Sequence, residues 1–269
     1  MQRSLNSYTK PILIFLFYFL IIRGISILLY QMFGDYLVEK GSSYFSLIDT
    51  FNLLICLGIT FLYVRKSSGN ISLFISKDFQ FSLKSAFLII FLTILYRLFI
   101  DPVFRVHIIT GEAQLTIPDS NGLISENFIH FLNMVIFTSI LEEVVFRRII
   151  LENLIQTNKA IVAILGSSIL FSLDHINILS PYTFIPIINA FLISMVLGIV
   201  YLRYGLLYSI LFHSAFNFWS FLLNGYRIEY WNVLKELNFG VIYWAISIMS
   251  LAILIIYSCK MLKAPSKSV

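Results

Sequence analysis

Charge is the first thing this sequence lacks. Asp, Glu, Lys and Arg make up 12% of its 269 residues, against about 25% in soluble domains. With 59% hydrophobic residues and a mean hydropathy of +0.88, that scarcity excludes a soluble globular chain and describes a polytopic membrane protein. Cysteine is nearly absent too. Cys56 and Cys259 both lie in apolar runs, which excludes a disulfide framework and a cysteine metal site and leaves two small core residues. There is no polar segment long enough for a soluble domain, no internal repeat and no low-complexity tract. The net charge of +5 does not gather into a nucleic-acid patch, so no nucleic acid is expected as a partner. The expected surroundings are a lipid bilayer.

What is present is a succession of apolar runs near the length of about 20 residues that a helical crossing needs. They predict an all-α fold of about eight transmembrane helices, at 11–33, 45–64, 81–100, 127–155, 160–177, 182–202, 206–223 and 239–259. The first run is longer than a signal-peptide core and no small-residue cleavage site follows it, so it reads as a retained helix. Placing the N-terminus inside divides the charges sharply. Of the 19 Lys and Arg, Lys40, Arg105, Arg227 and Lys235 then fall outside, Arg23 and Arg97 lie within spans, and the remaining thirteen face inward. The positive-inside rule therefore predicts N-in and C-in, in a multi-pass protein of the cytoplasmic membrane. The outer loop 101–126 carries Asp101, Glu112, Asp119 and Glu126, in keeping with this. Three segments result: 1–126 with the first three spans and that loop, 127–223 with spans four to seven, and 224–269 with an outer loop, the last span and a short basic tail.

The fourth span contains "ILEEVVFRR" (140–148). A charge at the centre of a spanning helix costs about 2.5–3.5 kcal/mol on insertion scales, so such charges face partners or water. Glu143 and Arg147 are one turn apart with the acid on the N-terminal side, the favoured orientation for an ion pair. Arg148 marks the inner boundary by reaching to the interface. Glu142 is left without a local explanation, because it is rotated from Glu143 by about 100° and cannot share its partner.

Other spans supply polar candidates. The fifth ends "SSILFSLDHINIL" with His175, and the seventh contains "ILFHSAFNFW", where His213 and Asn217 lie one turn apart on one face. An interhelical hydrogen bond is the plain reading of such a pair. The loop QTNK (156–159) joins spans four and five. At 1.5 Å per residue in an antiparallel hairpin, Glu142 and His175 reach nearly one depth. A carboxylate facing an imidazole in a protein interior forms a general-base pair or a metal site. His213 follows the turn RYG (203–205) closely and is expected at a shallower level unless the QTNK hairpin projects inward.

Three motifs in order now carry a resemblance. "EEVVFR" (142–147) fits Glu-Glu-x-x-x-Arg, "FSLDH" (171–175) fits Phe-x-x-x-His, and "HSAFN" (213–217) fits His-x-x-x-Asn. Together they resemble the CPBP family of CAAX proteases and bacteriocin-processing enzymes, also called Abi or Rce1-like. The resemblance covers residues 127–223, and Asp174 departs from the small or apolar residue expected before the histidine. It implies an all-helical, eight-span intramembrane endopeptidase acting on a peptide or membrane protein near the inner face. By carry-over, Glu142 activates water with help from His175, His213 and Asn217 stabilise the oxyanion, and Glu143, Arg147 and Phe171 are structural support.

No cofactor is favoured. A zinc mechanism with Glu142, His175 and His213 as ligands stays open, although Asn217 is a poor zinc ligand and there is no His-Glu-x-x-His pattern. A non-catalytic membrane partner, such as a bacteriocin-immunity protein or a sensor-kinase regulator, also stays open, but a binding module has no need of Glu142. A transporter fits less well, because no Gly or Pro break flanks the polar positions.

Overall fold

The computed structural model describes residues 9–21, 24–25, 28, 32, 42–68, 82–109, 127–176, 184–225 and 240–263. Among these residues every regular element is helical: α1 (Thr9–Ile21), α2 (Ser42–Ser68), α3 (Leu83–Ile109), α4 (127–155), α5 (Ala160–Asp174), α6 (Phe184–Tyr204), α7 (Leu206–Gly225) and α8 (Val241–Lys263). The stretches Ile48–Lys66, Leu83–Val103, Phe128–Ile155, Pro186–Tyr204 and Val241–Lys263 are long and apolar enough to cross a membrane. Thr9–Ile21, Ala160–Asp174 and Leu206–Leu222 are apolar but shorter. The all-α membrane architecture is as the hydropathy predicts.

The helices are apolar outward as well as inward, and some of them turn small or polar side chains to the interior. On α8, Val241, Ile242, Ile248 and Met249 are exposed while Ser247 and Ser250 are buried. Lipid solvates apolar side chains as well as a core does, so packing, small residues and hydrogen bonds must draw the helices together. Ser247 donates to the Phe99 carbonyl of α3 at 2.8 Å. Where α5 meets α6, Gly198 lets the backbone lie against Ile164.

Among the described residues two pairs of consecutive helices, α4–α5 and α6–α7, are joined by tight turns. Gly205, at φ 91°, closes α6 and opens α7, and its N–H bonds the Tyr201 carbonyl at 2.8 Å. A positive φ of this kind suits glycine at a helix C-terminus. Between α4 and α5, the backbone N–H groups of Thr157 and Asn158 both return to the Leu154 carbonyl, as do their side chains.

Contacts between helix ends give the bundle two distinct ends. At one, Ser82 before α3 bonds the Tyr208 hydroxyl of α7, and Arg148 and Tyr201 both donate to Glu152. This end carries Arg65, Lys66, Lys84, Lys159, Arg203 and Lys260, and we call it the basic end. At the far end, Thr50 of α2 bonds Asn133 of α4, and His130 packs on Phe221 of α7.

Two sequence expectations fail here. Cys259 is exposed on α8, where the sequence reading makes it a core residue. Asp101 does not open an outer loop. It continues α3 past Pro102, is 4% exposed, pairs with Arg97 at 3.7 Å and accepts the Tyr243 hydroxyl at 2.6 Å. The dipeptide Asp-Pro reads as a helix stop, but a proline inside a membrane helix is tolerated where neighbours satisfy the freed backbone. Glu112, Asp119, Glu126, Lys40, Arg227 and Lys235 lie outside the described residues.

Candidate active site within the bundle

The fourth helix is not uniformly α-helical. Two stretches of wider π-helical turn, Leu132–Phe137 and Val144–Leu151, flank the α-helical segment Thr138–Glu143 that carries both glutamates. Such bulges leave backbone carbonyls in need of donors and concentrate at functional sites. Here neighbouring helices supply the donors. Asn217 of α7 bonds the Met134 carbonyl at 2.9 Å, and Ser167 of α5 bonds the Phe146 carbonyl at 2.8 Å. A wider turn also rises less per residue, which lessens the depth mismatch that uniform α-helical geometry predicts between Glu142 and His213.

Glu143 is fully buried and its carboxylate is saturated. Oε2 accepts Arg147 Nε at 3.2 Å and the Ser209 hydroxyl, and Oε1 lies 3.0 Å from His213 Nδ1. Arg147, also fully buried, donates through Nη1 to Ser167 Oγ at 3.3 Å and lays its guanidinium over the Phe171 ring at 5.3 Å. The ion pair is the one the four-residue spacing predicts; the hydroxyls and the ring surround it, and Arg147 Nη2 is buried without a hydrogen bond among the described residues. Phe171 also meets Phe146 at 5.0 Å, His175 at 4.7 Å and His213 at 6.0 Å between centroids. One ring therefore touches side chains from all three motifs.

Glu142 points elsewhere. It lines a cavity of about 410 Å³ with His175, His213, Asn217, His130 and Asp49, and an adjoining one of about 240 Å³ with Asp174 and Tyr18. Its Oε2 is 3.6 Å from His213 Nε2, too long for a direct hydrogen bond but close enough for strong electrostatic coupling. The imidazole beside Glu142 is thus His213. His175 shares both cavities with Glu142, while its Nδ1 lies 3.0 Å from the Phe171 carbonyl of its own helix.

His213 bridges the two glutamates. A carboxylate that receives donors from Arg147 and Ser209 can only accept, so the Nδ1 facing it carries the proton and Nε2 faces Glu142 and the cavity. Asn217 lines the same cavity with its amide committed, donating to the Met134 carbonyl and to Ser139 Oγ at 3.1 Å.

The sequence pattern misses several participants. Ser209, His213 and Asn217 repeat every four residues, so the serine extends a polar stripe already visible on α7. His130, Thr138 and Glu142 follow a four-residue register on α4 in the same way. Asp49 and Asn52 of α2 carry no local signal.

For zinc, the set at issue is Glu142, His175 and His213. Among the described residues no group of three His, Cys, Asp or Glu side chains is close enough together to hold a metal ion, and no step is derived through one.

Residues 124–219 match the family model described as type II CAAX prenyl endopeptidase Rce1-like. The matched stretch takes in α4, α5, α6 and most of α7, and agrees with the CPBP resemblance that the three motifs carry. No curated protein and no solved structure gives a match.

Proposed function

We propose that this integral membrane protein is an intramembrane endopeptidase whose base is Glu142. The observation that carries the proposal is the division between the two glutamates. Glu143 is consumed by Arg147, Ser209 and His213, whereas Glu142 faces a cavity lined by both motif histidines and by Asn217.

In the proposed reaction Glu142 takes a proton from a water in the cavity, and the oxygen adds to the peptide carbonyl. The C–N bond of the tetrahedral intermediate then breaks, and the proton held by Glu142 passes to the departing amine. His175 assists in placing the water. His213 is held by the Glu143 carboxylate behind Nδ1 and presents Nε2 towards the position of the oxyanion. That arrangement has the logic of a buried carboxylate orienting a catalytic imidazole. Asn217 joins it by exchanging its bond to Ser139 for one to the oxyanion. A preorganised donor in such a site is worth about 3 kcal/mol. The substrate is a peptide or a membrane-associated protein, and the membrane is the cytoplasmic one.

The test is cleavage of a peptide pool by purified protein, wild type beside Glu142→Gln, with a zinc chelator as a third arm. Loss in Glu142→Gln with resistance to the chelator is the expected result. Cleavage that survives Glu142→Gln removes Glu142 as the base. Loss in both arms transfers the reading to a metal. A chain that accumulates normally and cuts nothing favours a bacteriocin-immunity or regulatory partner instead.

A further inference from the structure

A third cavity lies between α1, α2 and α4 and holds about 890 Å³. Its floor is buried and comes from Cys56 and Thr60 of α2 and Val145 and Ile149 of α4. Its rim is exposed and apolar, with Leu13, Leu16, Phe17 and Leu20 of α1. The place of α1 is set by Phe15 and Tyr18, whose rings meet that of Phe146 at 6.3 and 5.7 Å. The cavity is therefore a groove left between α1 and α2 once α1 is seated on α4.

The groove has the length of one leaflet. Along α1 its lining runs from Lys10 to Ile21, about 16 Å at 1.5 Å per residue. Half of a hydrocarbon core of about 30 Å is about 15 Å. Towards the middle of the bundle the groove adjoins the smaller cavity beside Glu142, and Tyr18 lines both. At the basic end it is cationic. Lys10 belongs to the lining, and Arg65 and Lys66 closely follow Tyr63, which lines it from α2. All three cations are exposed, and among the described residues none is ion-paired.

We propose that this groove is a binding site for an anionic phospholipid of the leaflet at the basic end. An acyl chain lies along α1 and α2, and the phosphate rests against Lys10, Arg65 and Lys66. Cations at a helix end attract anionic headgroups, and an apolar peptide segment leaves them unused. The acyl chain packs on Val145 and Ile149, which belong to the widened turn Val144–Leu151 that also carries Arg147. Bound lipid thus braces the stretch of α4 that follows the two glutamates. The proposal does not rest on the peptidase reading.

The test uses purified full-length protein in mixed micelles and a phosphatidylglycerol with a diazirine halfway along one acyl chain. After irradiation, mass spectrometry locates the modified residues, with unlabelled phosphatidylglycerol or phosphatidylcholine as competitor. Modification is expected at 13–20 and 56–63, displaced by phosphatidylglycerol far better than by phosphatidylcholine. Lys10→Gln with Lys66→Gln should weaken binding roughly 25-fold, at about fivefold for each cation removed. Lys260→Gln, on α8 at the same end, should leave it unchanged. Melting temperatures without lipid serve as the folding control. Equal modification of the exposed face of α8 at Val241, Ile248 and Met249 would reveal an ordinary lipid annulus and overturn the proposal. So would displacement by both lipids alike, or labelling that survives the double replacement. Absence of labelling on α1 and α2 in protein that melts normally also overturns it, and leaves the groove to another occupant such as an apolar segment of the substrate. If the lipid result holds and Glu142→Gln still cleaves, the catalytic assignment fails and the lipid site stands.

Discussion

His213 Nδ1 lies 3.0 Å from Glu143 Oε1 while the opposite ring nitrogen lies 3.6 Å from Glu142. The histidine of α7 is thus fastened by one glutamate and presented to the other. Adjacent carboxylates on α4 acquire different work, because one faces Arg147 and Ser209 and its neighbour faces the cavity.

That division predicts an asymmetry between variants. Glu143→Ala leaves Arg147 buried and unpaired, and removing one member of a buried ion pair costs about 3–5 kcal/mol. Membrane yield and thermal stability should both fall, as they should for Arg147→Ala. The double replacement Glu143→Leu with Arg147→Met strands no charge and should recover part of that loss. Glu142→Gln should accumulate like the wild type. Quantitative immunoblotting and detergent melting curves check both halves. The outcome that sinks the division is normal accumulation of Glu143→Ala together with loss of Glu142→Gln from the membrane.

How much of this site is visible in the sequence follows from the range of each contact. The Glu143–Arg147 pair is legible because four residues make one helical turn, and the isolation of Glu142 is legible by the same geometry. The bridge from His213 is not, because it joins residues 70 positions apart, and no local spacing encodes which face of α7 meets α4. The π-helical turns are equally hidden, since no residue type compels them. Their trace is indirect: Asn217 and Ser167 are polar groups in apolar runs, and each reaches a carbonyl in a widened turn. The place of Asp101 inside α3 is hidden for the same reason, because its partner Tyr243 lies 142 positions away.

Asn217 therefore has a structural effect that can be measured apart from catalysis. Asn217→Ala removes donors to the Met134 carbonyl and to Ser139, and each lost bond is worth about 1 kcal/mol. Residues 132–137 should exchange their amide hydrogens faster, with little change at the Gly205 turn. Hydrogen exchange followed by mass spectrometry reads this directly. Unchanged protection across 132–137 would show that the π turns hold without Asn217.

Tyr243 gives a second test away from the motifs. Its hydroxyl donates to Asp101 at 2.6 Å, which joins the last helix to α3. Tyr243→Phe keeps the ring and removes only that donor. A hydrogen bond to a charged group contributes about 1.5–3 kcal/mol, so the melting temperature should drop while the protein still inserts. Asp101→Asn retains an acceptor and should cost less. Equal loss from both variants would mean that the charge on Asp101, through Arg97, matters more than the hydroxyl.

The closest approach of α5 and α6 supplies a prediction whose sign is set by two opposed effects. Gly198→Ala gains about 1 kcal/mol of helix propensity. The added Cβ, however, would sit 3.2 Å from Ile164 Cγ2, tighter than a comfortable carbon contact of about 3.5–4.0 Å. Ile164 has no exposed surface, so it has nowhere to retreat, and the strain should cancel the propensity gain. Gly198→Val enlarges the same clash and should cost about 1–3 kcal/mol, as overpacking does. Ile164→Ala removes the atoms that collide. Gly198→Val with Ile164→Ala should therefore melt at a higher temperature than Gly198→Val alone, although Ile164→Ala alone is destabilising. Additive loss in the double variant would show that the two residues do not meet, and that α5 and α6 pack in a different register.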